Sequence, residues 1–182
     1  MGGTPLKTNK VSAPPLNNLI KYLRDYPKNH IHMSGNLEIN SPCYYGGDPM
    51  PWANYVIADR IIFLSGSEGR YPDRKQEYPS GEEPEERPVA PTVEEQTQLI
   101  WEKIKDRVEN AGSSLENIAV INYYVTDREL WPKVWEVTKD FLEEHCSDVL
   151  ERPRAGTLLT EVGLDREDMK VEIEAIALLP EE

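Results

Sequence analysis

Toward its C-terminal end the chain reads Val171-Glu172-Ile173-Glu174-Ala175-Ile176-Ala177. In an extended segment alternate side chains share a face, so Glu172, Glu174 and Ile176 lie on one side and Val171, Ile173, Ala175 and Ala177 on the other. A rigid strand of this kind can carry a carboxylate into a pocket, where it can hold and activate a water. The same pattern equally describes a strand whose acidic face meets solvent. Other reactive combinations are poorer. His30-Ile31-His32 puts two imidazoles on one side of an extended stretch, yet no third metal ligand is evident nearby. The cluster Glu82, Glu83, Glu85, Glu86 lacks the glycine and alternating oxygens of a calcium loop and reads as solvated charge. His145 and Cys146 are adjacent, so on a helix they point about 100° apart and do not form a base and nucleophile. No phosphate loop, GxGxxG, CxxC, HExxH or GxSxG occurs.

The elements that must position Glu172 follow from patterning over 182 residues, the length of one ordinary domain. Residues 1–50 form an arm rich in proline and glycine, with one short helix expected at Leu16 to Tyr26. Ala53 to Ile57 and Arg60 to Leu64 read as a hairpin turning at Ala58-Asp59. Residues 68–91 hold acids and prolines with almost no apolar side chain and read as a long surface loop. Thr92-Val93-Glu94-Glu95 is a capping box, and Ile100, Ile104, Val108 and Ala111 continue at helical spacing to Gly112. Ile118 to Val125 reads as a central strand. Val134, Val137, Thr138, Phe141, Leu142 and His145 form a second helical stripe, with Pro132 in its first turn. Strands are expected at Leu158 to Val162 and Val171 to Leu178. The order ββ, α, β, α, ββ predicts an α+β domain over residues 51–182, a mixed sheet with both helices on one face. Its bare face needs a partner, and self-association is the obvious one.

Twenty basic residues against 33 acidic ones give a net charge of −13, which opposes nucleic acid and anionic membranes. No apolar run approaches a bilayer span, and MGGTPLKTNK offers no signal-peptide core, so a soluble cytoplasmic protein is expected. Cys43 and Cys146 are too far apart in sequence to argue for a disulfide in an intracellular chain.

Three stretches in order resemble one family: Ile61-Ile62-Phe63-Leu64-Ser65-Gly66, then Ala111-Gly112-Ser113-Ser114-Leu115-Glu116-Asn117-Ile118, then Glu161-Val162 with Val171 to Ala177. From about Pro51 to Leu179 the chain resembles the YjgF or Rid family of reactive intermediate deaminases. The resemblance implies a chorismate-mutase-like fold, a homotrimer with sites between subunits, and hydrolysis of an imine or enamine without metal or cofactor. It implies that Glu172 holds the water and that Ser65 and Gly66 are the strand-end serine and glycine of the site. Aligned without gaps from Glu161-Val162, Thr157 stands where the archetype has its carboxylate-binding arginine. Trp52 replaces a usual tyrosine, and Trp135 an asparagine of the second helix. Losing the guanidinium removes a bidentate contact worth several kcal/mol in a dry site, while the indoles add apolar faces. Ser65 and Thr157 would then hydrogen-bond the substrate, with Trp52 and Trp135 shaping the pocket. Arg154 and Arg70 are candidates to replace the lost charge, against the alternative that both are surface arginines. A catabolic deaminase of a small aromatic-derived or unsaturated metabolite, aminomuconate-like, is the narrower expectation. A trimeric small-molecule binder or sensor that has lost catalysis is the alternative, and ribonuclease activity is disfavoured by the charge.

Overall fold

The computed structural model describes residues 32–34, 37–40, 42–45, 48–71 and 88–181. The helix expected at Leu16 to Tyr26, the His30 partner of the imidazole pair and the Glu82 to Glu86 cluster lie outside these residues. Strands β1 (His32–Ser34), β2 (Leu37–Ile39), β5 (Tyr55–Ala58), β6 (Ile61–Leu64), β8 (Ile118–Val125), β9 (Ala155–Thr160) and β10 (Val171–Leu178) form one mixed sheet in the order β1-β2-β5-β6-β10-β8-β9. The two-residue β7 (Ser67–Glu68) pairs with the start of β10, and β3 (Pro42–Tyr45) with β4 (Asp48–Ala53) forms a separate hairpin. Neighbours are antiparallel except β8 and β9, which run parallel and are joined through helix α2 (Trp131–His145).

Local chemistry explains these elements. The β5–β6 turn has Asp59 left-handed at φ 54°, a conformation aspartate tolerates better than most side chains. Helix α1 (Val93–Asn110) opens on the capping box: Thr92 Oγ1 accepts from the Glu95 N–H at 3.2 Å, and Glu95 Oε2 accepts from the Thr92 N–H at 3.1 Å. It stops before Gly112, whose φ of 85° suits a residue with no Cβ. Alternation along β10 buries Val171, Ile173, Ala175 and Ala177 beneath the helices and leaves Glu172, Glu174 and Ile176 half-buried on the other face. The two helices lock together through a buried hydrogen bond from Trp101 Nε1 to Thr138 Oγ1 at 2.9 Å and a stack of Trp101 on Phe141. Each fully buried Ile, Leu or Val in this layer contributes on the order of 1.5–3 kcal/mol.

Three expectations need correction. The penultimate strand runs from Ala155 to Thr160 and not from Leu158 to Val162, because Glu161 turns left-handed at φ 60° and the parallel ladder to β8 begins at Val120 opposite Ala155. The stretch 68–91 is not loop at its ends. Glu68 pairs with Glu172, Arg70 bridges to Val89, Tyr71 N–H donates to Pro88 O, and Tyr71 and Ala90 are buried against Leu99. His145 is exposed, not part of the buried stripe, although its ring rests on Phe141. Cys146 is a buried free thiol.

Candidate functional site

Glu172 lies near the start of β10 with β8 on one side and the short β7 on the other, so its backbone is held by both neighbours. Its carboxylate lies directly over Gly66: a Cβ built on Gly66 would stand 1.8 Å from Glu172 Oε1. Glycine here makes room for the acid. Among the described residues nothing donates a hydrogen bond or an ion pair to the Glu172 carboxylate. Burial, together with Glu68, Glu174 and Asp165 nearby, pushes its carboxyl above the ordinary value of 4.5. A half-buried carboxylate with lone pairs unspent and raised basicity is suited to take a proton from water.

The turn that carries Gly66 is clamped from below. Arg107 of α1 donates to Ser65 O at 3.0 Å and Ser67 Oγ at 2.8 Å through Nη1, and to Asn54 Oδ1 at 3.1 Å through Nη2. Ser65 donates its own hydroxyl hydrogen to Ala53 O at 2.5 Å, which ties the turn to the end of β4 beside Trp52. Trp52 is 52% exposed, leaving its indole face open. Beside Glu172, Glu174 Oε2 accepts from Asn122 Nδ2 at 3.2 Å and from the Tyr124 hydroxyl at 3.1 Å. Its charge is thus spent on β8, whereas that of Glu172 is not. Arg70 is held between Glu68, at 3.3 Å from Nε, and Asp165, at 2.8 Å from Nη2.

Trp135, Arg154 and Thr157 lie elsewhere. They line a cleft of ≈ 360 Å³ between α2, β9 and the short helix α3 (Asp148–Glu151), with Trp131 and Leu150 among its walls. Trp135 is 43% exposed and packs on Trp131 at 6.2 Å between ring centroids. Thr157 pairs with Asn122 across the parallel ladder, so β8 separates it from β10 by two strand spacings, about 10 Å. Arg154 does not reach toward Glu172. Its Nη2 donates to Asp148 Oδ2 at 2.8 Å and Glu116 O at 2.9 Å, and its Nη1 donates to Arg152 O. Arg152 and Arg154 together hold the Asp148 carboxyl below its usual range. A single chain therefore brings together Ser65, Gly66, Glu172 and Arg70, with Trp52 adjacent in sequence to the Ala53 that holds Ser65, and separately Trp135, Arg154 and Thr157.

Sequence reasoning passed over Arg107, Gln96 and Lys103. Gln96 is buried; its amide nitrogen donates to Ala90 O and Asp168 O at 2.9 Å each, and its Oε1 accepts from Lys170 N–H at 2.7 Å. Lys103 Nζ donates to the carbonyls of Glu68 and Arg70. Gln96 did leave a signal, a polar side chain in line with Val93 and Ile100 on the apolar stripe of α1. No group of three or more His, Cys, Asp or Glu side chains among the described residues is arranged to hold a metal ion. No helix among them is long and apolar enough to cross a membrane.

Comparison with known proteins places this geometry in a family. The fission yeast (Schizosaccharomyces pombe) mitochondrial protein mmf1 is 28% identical over 157 residues, which cover 86% of this chain and 85% of that protein. Its mitochondrial mmf2 is 32% identical over 89 residues, 49% of this chain and 67% of mmf2. Among solved structures, Escherichia coli TdcF with bound serine is 26% identical with a TM-score of 0.59, covering 78% of this chain and 98% of that one. The E. coli YjgF gene product is 25% identical with a TM-score of 0.58, covering 76% and 93%. The family model described as Endoribonuclease L-PSP matches residues 48–179. With that match spanning the hairpin, both long helices and β10, the chain belongs to the YjgF/Rid family.

Proposed function

We propose that the protein is a hydrolase of imine or enamine C–N bonds in a small metabolite, working through Glu172. The observation that carries this reading is the Glu172 carboxylate, lodged over Gly66 on a rigid strand, raised in basicity and without a donor among the described residues. Membership of the YjgF/Rid family supports an imine-deaminating or small-molecule-binding role, and TdcF, a relative, is solved with serine bound. In the proposed reaction a water held by Glu172 attacks the carbon of the protonated imine, C=NH2+. A C–O bond forms, the π pair moves to nitrogen, and the carboxylate takes the water's proton. That proton passes to the nitrogen, the C–N bond breaks, and the remaining hydroxyl hydrogen returns to Glu172 as the carbonyl product and ammonia separate. An enamine enters the same sequence after protonation at carbon.

Ser65 and Thr157 are assigned hydrogen bonds to substrate, and Trp52 and Trp135 the walls. These residues fall into two groups in one chain, so the reading includes a homotrimer in which one subunit supplies the Glu172 group and its neighbour the Thr157 group. The exposed apolar side chains Ile61, Phe63, Leu159 and Leu178 suit such a contact. A binding or sensing role is the second reading, favoured by threonine standing at the archetype's arginine position. The test is to generate imines in situ and follow their loss against a trapping amine. Accelerated hydrolysis supports the enzyme, and tight binding without turnover supports the sensor.

A further inference from the structure

We infer that this site selects a cationic, aromatic amine-derived iminium, one without a free carboxylate, rather than an anionic imino acid; the inference rests on the imine-hydrolase reading above. It comes from the charges that the described residues place around the site. Among the described residues, the carboxylates of Glu68, Asp165, Glu172 and Glu174 stand on the Glu172 side with the guanidinium of Arg70, while that of Arg107 is turned onto Ser65 O, Ser67 Oγ and Asn54 Oδ1. Glu68 is the direct cross-strand partner of Glu172, so both side chains leave the same face of the sheet. Arg70 is already paired with Glu68 and Asp165, and neither contact is with Glu172. On the cleft side Arg154, the one basic residue among the described residues lining it, is turned onto Asp148 and two backbone carbonyls. Position 157 carries a neutral threonine.

Among the described residues a carboxylate entering this site meets no uncommitted cation and three or more like charges; its own desolvation would go uncompensated. A protonated iminium or ammonium meets the opposite situation. It neutralises Glu172, the one of these four carboxylates without a donor among the described residues, and in the proposed homotrimer it meets the neighbour's Trp135; the Trp52 and Trp135 indoles, 52% and 43% exposed, attract cations through the ring quadrupole. A protonated iminium is also the more electrophilic form at carbon, so the same charge that is recognised is the one that hydrolysis consumes. Dianionic aminomuconate-like substrates fit this arrangement worst of the candidates.

The experiment uses the full chain and three probes of one skeleton: phenethylamine, 3-phenylpropanamide and 3-phenylpropionate, titrated by calorimetry at pH 7. The amine is expected to bind at least about tenfold more tightly than the carboxylate, with the amide between them. Glu68→Gln should narrow that ratio, and Thr157→Arg should narrow or reverse it. Equal or tighter binding of the carboxylate, or no measurable binding of any probe, overturns the inference. A second arm separates this inference from the hydrolase reading. The imine of phenethylamine is generated with an amine oxidase and that of phenylalanine with an amino-acid oxidase, each with oxygen and catalase, and hydrolysis is read as competition with semicarbazide trapping. Faster hydrolysis of the amine-derived imine supports both. Faster hydrolysis of the imino acid sinks the charge preference and leaves the hydrolase, while selective amine binding without acceleration of either sinks the hydrolase and leaves the preference.

Discussion

Gly66→Ala isolates the geometry of the site from its chemistry. The new Cβ would stand 1.8 Å from Glu172 Oε1 and 2.9 Å from Cδ, so the carboxylate must retreat by about 1.6 Å to reach ordinary van der Waals contact at 3.4 Å. Gly66 is not among the residues with positive φ, so alanine fits the backbone, and the loss of chain freedom in the unfolded state offsets part of the strain by about 0.4–1 kcal/mol. The clash is with the far end of a flexible side chain, which can swing away. Stability should therefore change by less than about 1 kcal/mol, a Tm shift of about 2–4 °C at most. Turnover should not be spared. A displacement of about 1 Å can cost on the order of a hundredfold in rate when a base must meet a positioned water. Gly163→Ala, where a Cβ meets nothing within 4 Å, is the control and should match the parent in both readouts. The assay is imine hydrolysis against semicarbazide, beside thermal unfolding. A Gly66→Ala protein that keeps its rate within about threefold would refute the placement of the reacting water at Glu172. In a Glu172→Ala background the same substitution should cost nothing further in rate, since the group it displaces is gone.

The raised carboxyl of Glu172 predicts an acidic limb in the rate profile. Activity falls as pH drops through a value above 4.5, and the limb disappears in Glu172→Gln. The same group is a stability liability. Its folded-state pKa exceeds the unfolded one, so its charge penalises the fold at neutral pH and the penalty is lost on acidification. Glu172→Gln should therefore raise the Tm by about 1–3 °C at pH 7 and by nothing well below pH 4.5, as read by calorimetry at both values. Arg107→Met removes donors to Ser65 O, Ser67 Oγ and Asn54 Oδ1 and should destabilise by about 2–4 kcal/mol in denaturant unfolding, with Arg107→Lys recovering part of it. Gln96→Leu leaves the Lys170 N–H and two carbonyls unpaired in a buried site and should lower the Tm by about 4–8 °C.

Much of the framework is legible because its signals are local. The capping box marks the start of α1, β-branched residues mark β8 from Ile118 to Val125, and the alternation in β10 separates Glu172 from Ile173 before any coordinates are known. The start of β9 leaves little local signal because Ala155 and Gly156 carry weak strand preference, and the pairing with β8 is parallel and reached only across α2. Gly156 lies so close to β8 that a Cβ would stand 2.1 Å from Ile121 O, a tertiary fact with no local trace. Composition marked residues 68–91 as loop, yet Tyr71 and Ala90 are buried by Leu99 on a helix further along the chain. Of the candidate site, Glu172 is legible as a strand face, whereas Ser65 and Gly66 enter only through the family resemblance. The clamp of Arg107 was not, since one arginine on a helix reads as solvated charge until the turn it holds is seen.

Semicarbazide competition for an imine generated in situ tests the proposed hydrolytic role of Glu172 most directly. The native chain should divert imine from the semicarbazone to carbonyl product and ammonia, and Glu172→Gln should restore trapping as its rate falls by about 10²–10⁴. Full diversion by the Glu172→Gln protein would contradict that role.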